Sequence, residues 1–389
     1  MRVLFTALPA TGHFNSIVPL AQAVAAAGHD VGICSSAAFA AETAALGFRH
    51  FAGGAANLAS LTTDAPPISD PARGSFVQVQ VFGGRAPRRL IPDLVAAIAA
   101  WKPQILVRES SEYAALLVAE QLGLPHASVA TGAWSARDDR RAVFAAALSQ
   151  LRAEMGLTPD PGAEAMYRYL HLSFSPPRWD GDAVIPATTH FIRYANPALP
   201  GQTRPAWLSA DRARPLVLAS LGTLMYGVPG LFEAIIDGLA GEPLDAIVAI
   251  GRDTDLARFG EPPANVRLER YVPQIPILAE CAAFVTHGGF NSTKEALSLG
   301  VPLVVIPIGG DQPYTAERCA ALGLGRVVSV AQRDHTHIRE ATREVLTDPG
   351  YRANAQRFAA DMRALPSIEY AVELLVRLAT NHRPISRTA

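Results

Sequence analysis

The chain has 389 residues, enough for two domains of ordinary size, each with its own core. Hydrophobic residues make up 49% and charged ones 18%, which excludes an intrinsically disordered chain and fits a compact one. A formal net charge of -1 gives no electrostatic reason to expect nucleic acid or an acidic membrane as partner.

The first residues, MRVLFTALPATGH, run straight into a short apolar strand with no signal-like region, and no apolar run is long enough to span a bilayer. A cytoplasmic protein is the expectation. Cys34, Cys281 and Cys319 have neither disulfide nor metal spacing and read as reduced, buried thiols.

Residues 1–8 read as a strand, 9–14 as a turn, 17–27 as an alanine-rich helix closed by Gly28, and 30–35 as a second strand. This is a parallel βαβ unit, but its turn is PATGHFN, so the G-x-G-x-x-G dinucleotide fingerprint is absent. The turn presents His13 near the positive end of a helix, which favours a neutral imidazole able to take a proton from a hydroxyl. From 48 to 103 the text is irregular, punctuated by Gly53-Gly54, Pro66-Pro67 and Gly83-Gly84 before a helix at 87–100. Phe14, Phe76, Phe82, Trp134 and Phe144 are candidates to line an apolar acceptor-binding surface, with ordinary core packing as the alternative. A strand at 103–108 leads into Glu109, whose carboxylate would orient His13 and stabilise its imidazolium. Glu112, a turn further on, is the alternative partner. A helix at 116–123 and a strand at 125–130 follow, then helical text to about 177. The proline-rich stretch ANPALPGQTRPAWLSADRARP reads as an interdomain linker. The expected division is 1–200, a linker at 201–214, a second domain at 215–368 and a terminal helix at 369–389.

The second domain opens with a strand at 216–219 and the small-residue turn Ser220-Leu221-Gly222-Thr223, whose backbone and hydroxyls suit a phosphate. A strand at 246–250 leads to Arg252. Asp253-Thr254-Asp255 has the form of a metal-binding D-x-D but lies in a loop, so no metal is expected there. His335-Thr336-His337 reads as a solvent-facing helix start capped by Asp334.

Residues 271–312, YVPQIPILAECAAFVTHGGFNSTKEALSLGVPLVVIPIGGDQ, form a loop, a short helix, a buried strand, a glycine turn, a helix from about 292, a second strand and a polar loop. A helix starting just after His287-Gly288-Gly289 offers backbone N–H groups and the positive end of its dipole to an anion. Asn291 and Ser292 add side-chain donors and a plausible N-cap, and Glu295 can accept hydrogen bonds from a sugar diol. Asp311 and Gln312 follow the next strand at its carboxyl end, where open α/β sheets place ligands.

The pattern H-G-G-x-N-S-x-x-E followed by G-x-P…P…D-Q resembles the donor-binding signature of the family 1 glycosyltransferases, which include plant secondary-product and bacterial natural-product enzymes. The resemblance implies an α/β protein of GT-B architecture, two Rossmann-like domains with parallel sheets facing each other across a cleft. The first would bind an apolar hydroxylated small molecule. The second would bind a nucleoside diphosphate sugar, with UDP and dTDP both open. Donor contacts would come from Ser220, Gly222, Thr223, Arg252, Val272, Gln274, His287, Gly288, Gly289, Asn291, Ser292, Glu295, Asp311 and Gln312. Within GHFNSIVPLA the resemblance makes His13 the catalytic base, with Ser16 where proline is more usual and Glu109 where the family has an aspartate. Tyr271 stands where many plant members have tryptophan. The terminal helix would cross back to the first domain. The implied reaction is inverting transfer with no metal cofactor, by a monomer or homodimer. The rival readings are a nucleotide-sugar epimerase of the same architecture and a non-catalytic binding partner.

Overall fold

The computed structural model describes residues 1–66, 72–132, 138–197, 202–209, 211–223 and 227–387. They fall into two compact units: the first holds Met1–Pro66, Ala72–Pro197 and the segment from Ala364 on, and the second runs to Arg363.

In the first unit, β1 (Arg2–Thr6), β2 (Asp30–Ser35), β3 (Arg49–Ala52), β4 (Ile105–Glu109), β5 (His126–Val129), β6 (Leu170–Ser173) and β7 (Thr189–Phe191) form one sheet in the order β3-β2-β1-β4-β5-β6-β7. Every neighbouring pair is parallel. Parallel strands must be covered on both faces, so β1 and β4 read as near-continuous apolar runs. Val3, Leu4 and Phe5 of the one and Ile105, Leu106 and Val107 of the other are fully buried. The helix Thr11–Ala26 returns the chain from β1 to β2 and packs against the helix Ile368–Asn381. The latter buries Ile368, Ala371, Val372, Leu375 and Leu378, a stripe at helical spacing. Backbone bonds from Arg193 to Pro366 and from Ile385 to Tyr169 hold this last segment to the first unit.

The second unit has β8 (Leu216–Ser220), β9 (Asp245–Ala249), β10 (Val266–Glu269), β11 (Ala283–Thr286), β12 (Leu303–Val305) and β13 (Gly325–Val327), again all parallel, in the order β10-β9-β8-β11-β12-β13. Its core joins Val217, Ala219, Ile247's neighbours Ala246 and Val248, Val285 and Val304 to the apolar face of the helix Leu231–Leu239.

Each sheet has a point where strand order reverses, between β1 and β4 in the first and between β8 and β11 in the second. Adjacent loops there leave in opposite directions and open a crevice beyond the carboxyl ends of the strands.

Several elements differ from the sequence reading. The irregular text expected after 48 contains β3 and a π-helical segment Val77–Arg85, while the helix expected at 87–100 is present as Ala86–Trp101. β6 lies inside text read as helical, and β7 and β13 were not anticipated. These strands have three or four residues, too short for a period to show, and sheet pairing makes them extended. No helix among the described residues is long and apolar enough to cross a membrane.

Candidate active site

At the reversal point of the first sheet, His13 is the third residue of the helix that follows β1, and Glu109 is the last residue of β4. His13 Nδ1 lies 3.0 Å from Glu109 Oε1, with side-chain exposures of 15% and 0%. The two side chains are within ion-pair distance. Burial alone would raise the Glu109 pKa. The charge of His13 and hydrogen bonds from His13, the Ser111 amide and Thr131 outweigh it and hold the carboxyl below its ordinary value.

Glu112 faces elsewhere. It accepts from Thr6 Oγ1 at 2.5 Å and from the amide of Ala114 at 2.5 Å, at the start of the helix Ala114–Leu122. Burial, reinforced by the charge of Glu109, pushes its carboxyl up to about 7. Two carboxyls three residues apart are thus driven in opposite directions. Arg108 gives its guanidinium to the carbonyls of Ser110 at 2.8 Å and Met166 at 2.7 Å rather than to a carboxylate.

Two hydroxyls that the sequence reading did not single out for this role surround the pair. Ser16 Oγ donates to the carbonyl of His13 at 2.6 Å and lies 3.0 Å from Thr131 Oγ1. The turn that carries His13 is therefore tied to the residue that also supports Glu109. Phe82, on the π-helical segment, meets the His13 ring edge-on at 5.6 Å. Phe76 lies under the Arg85 guanidinium at 5.3 Å. Phe14 and Phe144 are core side chains instead of lining ones. Phe14 is 1% exposed and stacked on Phe39 at 4.5 Å, while Phe144 is 5% exposed and packs on Tyr113 at 5.4 Å, so neither ring has a face to offer a ligand. Trp134 lies outside the described residues.

At the reversal point of the second sheet, β8 ends in Ser220, followed by Gly222 and Thr223, and β11 runs into His287. The next helix spans Phe290–Ser298 with Gly289 as its N-cap and no side-chain cap. Asn291 and Ser292 therefore sit inside the first turn, a correction to the expected N-cap. The His287 ring is clamped by two glycines: a Cβ on Gly222 would lie 2.7 Å from Cε1, and one on Gly289 would lie 2.5 Å from Nε2. Gly222 also has φ +70 and Gly288 φ +82, left-handed values that other residues rarely adopt. Burial pushes the His287 imidazolium down to about 4, against an opposing hydrogen bond with the Ser220 backbone, so this ring acts as a neutral hydrogen-bonding group.

Other donor-site expectations meet in pairs. Gln274 Nε2 donates to Glu295 Oε2 at 2.6 Å. The Arg252 guanidinium covers the half-exposed Tyr271 ring at 3.7 Å. Val272 is buried. Gln312 turns its side-chain oxygen back onto the amides of Ile308 at 2.7 Å and Gly309 at 2.9 Å, shaping the loop that carries Asp311. Asp255 caps its own short helix by accepting from Ala257. Asp334 likewise caps the helix that begins at His335.

Residues 235–378 match the family described as erythromycin biosynthesis protein CIII-like, C-terminal domain. The chain is 27% identical to the 3-alpha-mycarosylerythronolide B desosaminyl transferase of Saccharopolyspora erythraea, over 98% of this chain and 99% of that one. It is 28% identical to the 4'-demethylrebeccamycin synthase of Lentzea aerocolonigenes, over 96% and 98%. Among solved structures, the glycosyltransferase VinC in complex with dTDP superposes with a TM-score of 0.78 at 27% identity, covering 98% of this chain and 100% of that one. Two parallel Rossmann-like units, with residues gathered at both sheet reversals, define a glycosyltransferase of GT-B fold. Within that class its similarity is to natural-product glycosyltransferases of family 1.

Proposed function

We propose that this enzyme moves a sugar from a nucleoside diphosphate sugar, UDP- or dTDP-linked, to a hydroxyl of an apolar small molecule, with inversion at the anomeric carbon and without a metal. The observation that carries the reading is the His13–Glu109 pair, an imidazole backed at a sheet reversal by a buried carboxylate held below its ordinary pKa. His13 takes the acceptor proton as the oxygen forms its bond to the anomeric carbon. The bond from that carbon to the diphosphate breaks, and the electron pair leaves with the diphosphate. Glu109 steadies the imidazolium that results.

Charge gathering on the leaving diphosphate would be met by the amides at the start of the helix Phe290–Ser298, by His287 and by the Ser220-Leu221-Gly222-Thr223 turn, a set of fixed dipoles suited to the role a cation would otherwise fill. In this reading the Gln274–Glu295 pair would contact the nucleoside, and the Arg252–Tyr271 pair its base. The dTDP complex of VinC and the antibiotic transferases among the relatives support a thymidine donor and a natural-product acceptor. A cytoplasmic monomer or homodimer goes with this reading.

The test is product analysis with α-linked UDP- and dTDP-glucose and a panel of phenolic and macrolide acceptors, with and without EDTA. A β-glycoside formed at equal rates in both conditions is expected. Retention of configuration, a rate abolished by EDTA, or an altered nucleotide sugar formed without acceptor would overturn it, the last in favour of an epimerase.

A further inference from the structure

Arg108 takes no part in the chemistry above, yet a fully buried guanidinium is costly to keep at the end of a parallel strand. It is the fourth residue of β4, next to Glu109, and successive side chains of a strand leave on opposite faces. Its Nη1 donates to the carbonyls of Ser110 at 2.8 Å, Glu112 at 3.3 Å and Glu109 at 3.4 Å. Its Nη2 donates to the carbonyl of Met166 at 2.7 Å, 58 positions further along the chain. Three carbonyls of one turn thus converge on a single nitrogen. The planar fork ties that turn to the short helical segment Glu164–Tyr167. The guanidinium carbon lies over the Tyr113 ring, 5.7 Å from its centre.

This turn is where two carboxylates part, Glu109 toward His13 and Glu112 toward Thr6. The amide of Glu112 closes it on the carbonyl of Glu109 at 3.0 Å, but one such bond leaves the tilt of the turn against the sheet open. The tether to Met166 removes that freedom. We propose that Arg108 is a positioning residue for sugar transfer: by gathering the carbonyls of Glu109, Ser110 and Glu112 and anchoring them to Met166, it sets the aim of the Glu109 carboxylate at His13. The inference rests on the reading of His13 and Glu109 as base and orienting carboxylate. A valine or methionine would suit the sheet at this place without a desolvation cost, but either would withdraw the donor that holds the carbonyls together. A misplacement of about 1 Å in a catalytic arrangement costs about a hundredfold in rate, so a small tilt of this turn is enough to matter.

The test measures turnover of the full chain with UDP- or dTDP-glucose and the phenolic or macrolide acceptor on which the wild type is most active, beside titration with UDP and dTDP. Arg108→Met should lower kcat about a hundredfold per folded enzyme, while nucleotide affinity and the KM for donor stay within about twofold. Arg108→Lys keeps the charge and a donor for the turn but has no fork to span the turn and Met166. It should fall about tenfold below the wild type, a partial rescue. In a Glu109→Gln background either substitution should change kcat by less than about threefold, because Arg108 acts through that carboxylate. Should Arg108→Met not fold, Arg108→Lys carries the same comparison. Wild-type kcat in Arg108→Lys, or a loss of equal size with and without the Glu109 carboxylate, overturns the inference alone. A Glu109→Gln enzyme as active as the wild type overturns it together with the pair on which it rests.

Discussion

His13 and Glu109 come from segments nearly a hundred positions apart, brought together because β1 and β4 are neighbours in the sheet. With its carboxyl held below the ordinary range, Glu109 is an anion at neutral pH, and removing that charge leaves the imidazolium without a counterion. Glu109→Gln should therefore lower turnover by about 10² to 10⁴ while donor affinity, measured by titration, stays within about twofold. Full activity in that variant would assign Glu109 to structure alone. The sequence left Glu109 and Glu112 open, since both can be drawn near the end of a strand. Direction is what separates them, and only the turn Ser110-Ser111 fixes that: one carboxylate swings toward His13, the other folds under Thr6. The bracing by Ser16 and Thr131 was not legible, because a serine and a threonine 115 positions apart carry no motif. Phe14 and Phe144 failed as lining residues because an aromatic in a sequence looks the same whether its ring faces a cavity or the core.

At the scale of single elements, two features have measurable consequences. Glu112 starts the helix Ala114–Leu122 by accepting its first amides, and it does so with a pKa raised in the fold from 4.5 to about 7. A raised value means the folded state holds the proton more tightly than the unfolded chain. That contribution is fully present below 4.5 and is lost as pH climbs toward 7. Glu112→Gln, which imitates the protonated form, should melt close to the wild type near pH 5 and several degrees above it at pH 8, a gap of up to about 3 kcal/mol. A gap independent of pH would show that the carboxyl does not titrate in the fold.

The second feature is the clamp on His287. Gly289→Ala would put a methyl group 2.5 Å from a buried imidazole, so the ring must move. Nucleotide affinity should fall by more than about tenfold, at a stability cost of about 1–3 kcal/mol. Unchanged affinity would remove His287 from the donor site. Glycines at 288 and 289 were legible as a tight turn before a helix, but the steric reason for Gly222 was not, because it depends on a ring from another strand. Long apolar strands and amphipathic helices declared themselves by composition and period, whereas β6, β7 and β13 exist only because a neighbour offers an edge.

Across the whole molecule, one arrangement occurs twice. Each unit is an open parallel sheet, and in each the residues of interest leave the two strands that flank the reversal of order, β1 and β4 in the first, β8 and β11 in the second. This topology was legible in advance because its ingredients were local, a strand, a small-residue turn and a helix, repeated along the chain. Donor binding at the second of these reversals, as proposed, has a thermodynamic signature. UDP or dTDP at 100 times its dissociation constant should stabilise the protein by about 2.7 kcal/mol, with EDTA making no difference, whereas NAD should have no effect because the first turn lacks the dinucleotide fingerprint. Stabilisation by NAD instead would point to a different use of the fold. The most direct test couples binding and chemistry in one variant: donor affinity and turnover of His13→Ala measured side by side. Affinity within about twofold of the wild type, with turnover lower by about 10² to 10⁴, is the expected result. Turnover at the wild-type rate would contradict a base at His13.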